Sequence, residues 1–243
     1  MTETVGRLAR EGAPSLAWRR VEGEGPTVVW LGGYRSDMTG TKAQALAEWA
    51  QANGRAFLRF DYSGHGASEA AFEDGTISAW REDALAVIDH LTEGPLLLVG
   101  SSMGAWIAVL AALARPERVA ALMLVAPALD FTSALVEPSM TAVDRETLAR
   151  DGVWADPNGQ TYTRALIEDG ARWTLLPGPI PIHCPVRILQ GGRDESVPWR
   201  HALATAEALA GDDVVFTLVK DGDHRLSREQ DIARLIAAVC DCV

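Results

Sequence analysis

Ser102 stands between two glycines in Gly100-Ser101-Ser102-Met103-Gly104, a G-x-S-x-G pattern between an apolar run, Leu96–Val99, and an Ala-rich stretch from Ala105. A serine on a sharp strand-to-helix turn has its hydroxyl exposed at the tip, and flanking glycines keep Cβ atoms out of the bend. A helix that starts just beyond the serine aims its free N–H groups and its dipole at that hydroxyl, where a negative oxygen can be stabilised. This spacing suits nucleophilic attack on an acyl carbonyl, with the Met103 N–H donating to the oxyanion. Ser101 fits neither glycine spacing.

A serine hydroxyl is a weak nucleophile and needs a base that is itself oriented by an acid. Three histidines lie downstream of Ser102. His183, between Pro181 and Pro185, reads as the edge of an irregular segment, and His201 as a surface or cap position at a helix start. His224, in Lys220-Asp221-Gly222-Asp223-His224, follows the strand-like run Val214–Val219. Catalytic groups of open α/β sheets gather at such strand ends. Asp194, in Gly191-Gly192-Arg193-Asp194-Glu195, follows Val186–Gln190 and falls at the same edge. Glu195 is a neighbouring alternative; Asp221 and Asp223 share the histidine's own loop and are poorer orienters. The expected triad is Ser102, His224 and Asp194.

A second oxyanion donor is expected from the loop Gly32-Gly33-Tyr34 after Pro26–Leu31, through the Tyr34 N–H. That loop lacks the third spaced glycine of a dinucleotide site. His65, in Asp61-Tyr62-Ser63-Gly64-His65-Gly66, precedes the serine and is expected to hydrogen-bond within its own turn. No group of His, Cys, Asp or Glu has metal-ligand spacing, so neither metal nor cofactor is expected.

These residues need a scaffold that brings loops to one edge. Strands are expected at Pro26–Leu31, Ala56–Phe60, Pro95–Val99, Ala120–Val125, Val186–Gln190 and Val214–Val219, mostly continuous Val/Leu/Ile runs of the kind covered on both faces. Helices are expected at Thr41–Asn53, Thr76–Thr92, Met103–Arg115, Arg200–Leu209 and Ser227–Val239 from i, i+3, i+4 apolar spacing. Alternation of the two implies right-handed crossovers and a mostly parallel, doubly wound α/β sheet. Leu8–Glu22 adds a candidate antiparallel edge hairpin. Residues 131–183 break the rhythm, with helix candidates at Asp144–Arg150 and Thr161–Trp173 and a Pro/Gly run at Pro177–Pro181. The expected division is a core of residues 1–130 and 184–243 and an insertion at 131–183, within one domain.

The chain has 243 residues, 22 basic and 33 acidic, for a net charge of −11. Such a balance argues against nucleic acid, which needs a basic face, and against docking on an anionic membrane. No apolar run is long enough to span a bilayer. Three cysteines, Cys184, Cys240 and Cys242, make no disulfide framework and suggest a reducing compartment. With no signal peptide in the first residues, a cytoplasmic protein is expected.

With the triad assembled, the chain resembles the α/β-hydrolase superfamily. More narrowly it resembles bacterial relatives of the mitochondrial abhydrolase-domain-10 type of serine hydrolase. The likeness rests on Gly33–Ala43, Leu58–Gly66 with Ser68, Gly100–Gly104 with Trp106, and Asp221–Ser227. The resemblance implies cleavage of small-molecule or protein-linked acyl esters and thioesters, including protein S-acyl thioesters and acyl-glucuronide esters. Ala105 stands where the likeness leads one to expect glycine, which would reshape the floor of the turn slightly. On this reading the insertion is a short helical lid, whose Trp173, Leu175 and Leu176 are candidates for a closed pocket around a modest acyl chain. Rival readings keep the fold: a C–C bond hydrolase of the meta-cleavage type, or a ligand-binding protein without catalysis. The latter would be expected to have lost a triad member, and here all three positions are filled.

Overall fold

Every second residue of the central strands faces a different core, and that period of two sets the layers of the molecule. The computed structural model describes residues 3–242. Two antiparallel strands, β1 (Thr4–Arg10) and β2 (Ala13–Val21), form an edge hairpin that begins earlier than Leu8, and β3 (Glu24–Leu31) follows. Next come α1 (Thr41–Asn53), β4 (Arg55–Phe60), α2 (Ile77–Leu91), β5 (Leu96–Ser101), α3 (Met103–Ala114) and β6 (Val119–Val125). The segment 131–183 holds a π-helical turn at Thr132–Val136, α4 (Glu137–Ser139), α5 (Ala142–Asp151), β7 (Val153–Ala155), β8 (Thr161–Thr163) and α6 (Arg164–Gly170). The chain closes with β9 (Val186–Gly191), α7 (Trp199–Ala208), β10 (Val214–Val219) and α8 (Glu229–Cys240).

The strands make one eight-stranded sheet in the order β1-β2-β4-β3-β5-β6-β9-β10, parallel from β4 onward. This is the α/β-hydrolase arrangement expected from the alternation. Val29, Leu31, Leu98, Leu122 and Leu124 pack toward α2, α3 and the segment 131–183. Val28, Trp30, Leu97, Val99 and Met123 pack toward α1 and α8 on the other face. Strands buried on both sides have no polar alternation, which explains why their sequences read as continuous apolar runs.

One expectation fails inside the segment 131–183. The spacing predicts a helix from Thr161, but Thr161–Thr163 is a strand paired antiparallel with Val153–Ala155. The helix starts only at Arg164, because the Thr163 side chain accepts the Leu166 N–H and caps it. The chain then passes through a single 3₁₀ turn, Ala171–Trp173.

After β3 the chain crosses to β4 on one side, and β5 returns to the other side of β3. The crevice of an open α/β sheet lies outside the strand ends at such a switch point. Here α3 approaches β3 so closely that a Cβ on Gly104 would lie 2.1 Å from the Leu31 carbonyl oxygen and 2.3 Å from that of Gly32. A Cβ on Gly100 would meet the Gly104 oxygen at 2.4 Å and the Ala105 Cα at 2.6 Å, so Ala105 itself packs against the turn. Both clashes are with backbone, which cannot rotate away. Gly104→Ala is therefore expected to destabilise the fold by about 3 kcal/mol, the upper part of the overpacking range, read as a lowered urea midpoint at unchanged slope.

Candidate active site

Ser102 occupies the turn between β5 and α3 with φ 56° and ψ −121°. A residue with a side chain held in such a region costs about 1–3 kcal/mol, so the surroundings must over-determine it. They do: the Ser102 N–H donates to the Val125 carbonyl at 2.8 Å, and its carbonyl accepts the Ala105 N–H at 3.0 Å.

The loop after β10 delivers His224, whose Nε2 lies 3.1 Å from the Ser102 Oγ. The loop after β9 delivers Asp194, whose Oδ2 lies 2.8 Å from His224 Nδ1. A carboxylate only accepts, so Nδ1 carries the proton and Nε2 is left to accept from the serine hydroxyl. The Asp194 side chain is fully buried, whereas His224 is part-exposed. Asp194 Oδ1 accepts the N–H groups of Ser196 at 2.9 Å and Val197 at 2.7 Å. Its Oδ2 also accepts from Gln190 Nε2 at 3.1 Å. A buried carboxylate without such partners would be costly, so these donors hold it in place.

Gln190 went unnoticed in the sequence. It is the penultimate residue of β9, is fully buried, and its amide nitrogen also reaches the Gly191 and Val197 carbonyls, each at 3.0 Å. A polar side chain following Ile188-Leu189 and directly preceding Gly191-Gly192 was the available signal.

The alternatives fall away from this chain of contacts. Ser101 is buried in β5, and Glu195 is exposed. Asp221 pairs with Arg228, and Asp223 accepts the Leu226 N–H. His183 is exposed. His201 is no surface residue; its Nε2 lies 2.8 Å from the Leu129 carbonyl oxygen. Gly33 brings the loop after β3 against Ser102, since a Cβ on it would lie 3.3 Å from the Ser102 Cβ. Met103 and Tyr34 both line the cavity at this corner, and among the described residues neither N–H makes a turn or loop hydrogen bond.

Ser102 and His224 line two cavities. One, of about 200 Å³, has an apolar wall of Met103, Ala128, Phe131, Leu135, Val136 and Val197 but is also lined by the polar Gln160 and Ser196. The other, of about 440 Å³, is bordered by the charged Arg35, Asp37, Lys42 and Arg225 and is likewise of mixed polarity. Burial lowers the Lys42 amine to about 8, although Asp223 pulls the other way. Lys42 also donates to the Arg225 carbonyl, on the histidine's own loop.

Trp173, Leu175 and Leu176 do not line the smaller cavity. Trp173 Nε1 donates to the Ser78 hydroxyl at 2.7 Å, and Arg81 lies over its ring. The amides of Leu175 and Leu176 donate to the Asp130 carboxylate at 2.9 and 2.7 Å, which fixes that stretch behind the site. The apolar wall comes instead from Ala128 to Val136, at the start of the same segment.

Residues 26–169 match the family described as Serine aminopeptidase, S33. The mouse protein named palmitoyl-protein thioesterase ABHD10, mitochondrial, is 39% identical over 97% of this chain and 81% of its own. The mouse ABHD10 structure superposes with a TM-score of 0.92 at 38% identity, covering 98% of this chain and 97% of that one. The chain belongs to the ABHD10 family of α/β-hydrolases. The crystal structure of an Agrobacterium vitis S4 protein described as a hydrolase is more similar still, with TM-score 0.95 and 45% identity over the full length of both chains.

These ABHD10 relatives, from mouse and human alike, are named as mitochondrial, which overturns the cytoplasmic placement. Free thiols indicate only a reducing environment and do not select one such compartment over another. Among the described residues, no helix is long and apolar enough to cross a membrane.

Two further histidines are packed inside the fold, His65 buried and His201 half-buried. His65 is 3% exposed, with Nδ1 3.3 Å from the Ser63 carbonyl oxygen and its ring edge-on to Phe72 and Trp80. It hydrogen-bonds within its own turn, as expected. Burial lowers the pKa of both His65 and His201. The unfolded chain therefore takes up protons that the folded chain refuses. The stability from keeping these rings neutral is complete above the unfolded value of about 6.5 and is lost as pH falls toward the lowered folded values. The urea midpoint should fall as the pH drops from about 7 to about 5, and His65→Phe should flatten part of that decline.

Proposed function

We propose that Ser102, His224 and Asp194 are nucleophile, general base and orienting acid in the hydrolysis of acyl thioesters and esters. The observation that carries this reading is the unbroken series from Oγ to Nε2 at 3.1 Å and from Nδ1 to Oδ2 at 2.8 Å. Ser102 Oγ attacks the acyl carbon while its proton passes to His224 Nε2. The N–H groups of Met103 and Tyr34 receive the oxyanion; a single such donor is worth about 3 kcal/mol in the transition state. His224 then protonates the departing sulfur or oxygen, leaving an acyl-enzyme. Water, deprotonated by the same ring, attacks the acyl carbon and releases the acid and Ser102.

The two cavities suit the two halves of such a substrate. The acyl chain enters the side with the apolar wall and the leaving group lies in the charged side. Residues 131–183 act as a lid, since they supply the Phe131–Val136 wall and Tyr162. Thioester cleavage is also the chemistry in the name of the ABHD10 relatives. The acyl cavity of about 200 Å³ lies below the roughly 300–1,000 Å³ common for ligand pockets, which favours short to medium chains.

Ser102→Ala is expected to abolish turnover of acyl thioesters and of p-nitrophenyl esters without loss of fold. Asp194→Asn should lower kcat by about ten-thousand-fold, because an amide can hold the imidazole in the wrong tautomer. Wild-type rates in Ser102→Ala would overturn the assignment.

A separate assay, kcat/KM for matched thioesters from acetyl to palmitoyl, should peak well short of palmitoyl. An optimum at palmitoyl would mean that the acyl chain does not lie in the cavity of about 200 Å³.

A further inference from the structure

We propose that the Tyr34 side chain is a positioning residue for the oxyanion site: its hydroxyl ties the loop after β3 to the β7–β8 hairpin. The inference deepens the reading above and rests on the Tyr34 N–H being an oxyanion donor. It assigns a catalytic consequence to a contact between two parts of the chain that are 127 residues apart.

The loop after β3 is held locally by turn hydrogen bonds but is tied to the rest of the fold at few points. Gly32 and Gly33 carry no side chains, and Arg35 sits at φ 56°, a left-handed conformation that non-glycine residues seldom adopt. At its far end the Met38 N–H is anchored by Asp61 at 2.7 Å. Near the donor, the Gly33 carbonyl, on the same peptide as the Tyr34 N–H, accepts the Ser36 N–H at 3.1 Å and the Ser36 hydroxyl at 2.9 Å. What ties this turn to a distant part of the chain is the side chains of Tyr34 and Arg35, and both reach the same residue. The Tyr34 hydroxyl donates to the Thr161 carbonyl, and the Arg35 guanidinium donates to the Thr161 hydroxyl.

The ring adds direction to this grip. It stacks on Tyr162 at 5.4 Å with an interplanar angle of 10°, and lies edge-on to Phe72 at 4.9 Å and Trp80 at 5.9 Å. Arg35 lies 4.2 Å over the Phe72 ring, so the second grip is stacked as well. The hairpin is a firm anchor. Its turn is closed by Asp156, which accepts the Asn158 and Gln160 amides at 2.8 Å. It runs directly into α6, whose Asp169 accepts the Ser78 N–H and hydroxyl at 2.7 and 2.6 Å. Burial raises the Tyr34 phenol well above its ordinary range, so the hydroxyl stays a donor at neutral pH.

If Tyr34 were only a cavity wall, removing its hydroxyl while keeping the ring would leave catalysis alone or change KM. If it positions the donor, binding of the ground state is kept and the transition state loses. Tyr34→Phe is therefore expected to lower kcat about tenfold with KM within about twofold, a fraction of the loss from removing an oxyanion donor outright. The same variant should bind an acyl trifluoromethyl ketone, which places an oxyanion in the site, about tenfold more weakly while binding the product acid unchanged. An unchanged kcat, or a change in KM alone, would overturn the proposal. Should Tyr34→Phe fail to fold by its thermal transition, Arg35→Gln decides. A fall in kcat of about threefold at constant KM, on a thioester with an uncharged leaving group, supports the coupling, and wild-type kcat overturns it. Ser102→Ala run alongside separates the levels. An active Ser102→Ala removes the underlying reading, whereas a dead Ser102→Ala with a silent Tyr34→Phe removes this inference alone.

Discussion

The contact on which the site depends is the seating of α3 against the end of β3, with nothing but hydrogen at the Gly104 Cα. That approach brings the first turn of a helix, a strained serine and a flexible glycine loop into one small volume. Move α3 outward by the width of a methyl group and the Met103 and Tyr34 amides no longer border the same point. The strain at Ser102 is thus a consequence of packing, held by a helix whose residues Met103 to Ala112 are all buried. Stability and catalytic geometry are linked through that helix, because the core that holds it also sets where the hydroxyl points.

Much of this was written in the residue pattern. The parallel strands announced themselves as apolar runs, the inner ones because both faces are covered, and the ends of all six agree with expectation to within two residues. His224 and Asp194 were found from their place after strands, since a loop at that edge has few other reasons to carry them. The segment 131–183 was harder to read. Thr161–Thr163 pairs with a strand of only three residues, too short to show alternation, and the helical spacing beyond it masked the break. Trp173, Leu175 and Leu176 looked like a pocket because they are bulky and adjacent. Their placement is decided by the Asp130 carboxylate, a buried group that reaches them across the fold and leaves no local trace. Gln190 was missed for a similar reason, since only the assembled site shows what its amide holds.

The segment 131–183 is fastened at several separate points. Asp130 grips the returning chain at Leu175 and Leu176, Asp169 grips Ser78, and Thr161 receives Tyr34 and Arg35. The fastenings differ in depth: the Asp130 contact is buried, while the Arg35 contact is exposed.

An apolar wall on one side of Ser102 and a group of charged side chains on the other have a consequence for the end of the proposed reaction. An ester or thioester arrives uncharged at its acyl carbon, but the acid that hydrolysis leaves behind is an anion at neutral pH. Formed at Ser102, that anion has no cation among the apolar walls of Ala128, Phe131, Leu135 and Val136, and faces Lys42, Arg35 and Arg225 on the other side. Burying an unpaired carboxylate is strongly unfavourable. Under the proposed mechanism the apolar wall would hold the acyl chain better than the acid's carboxylate, and the charged side, where Asp37 accompanies the three cations, would offer that carboxylate its way out.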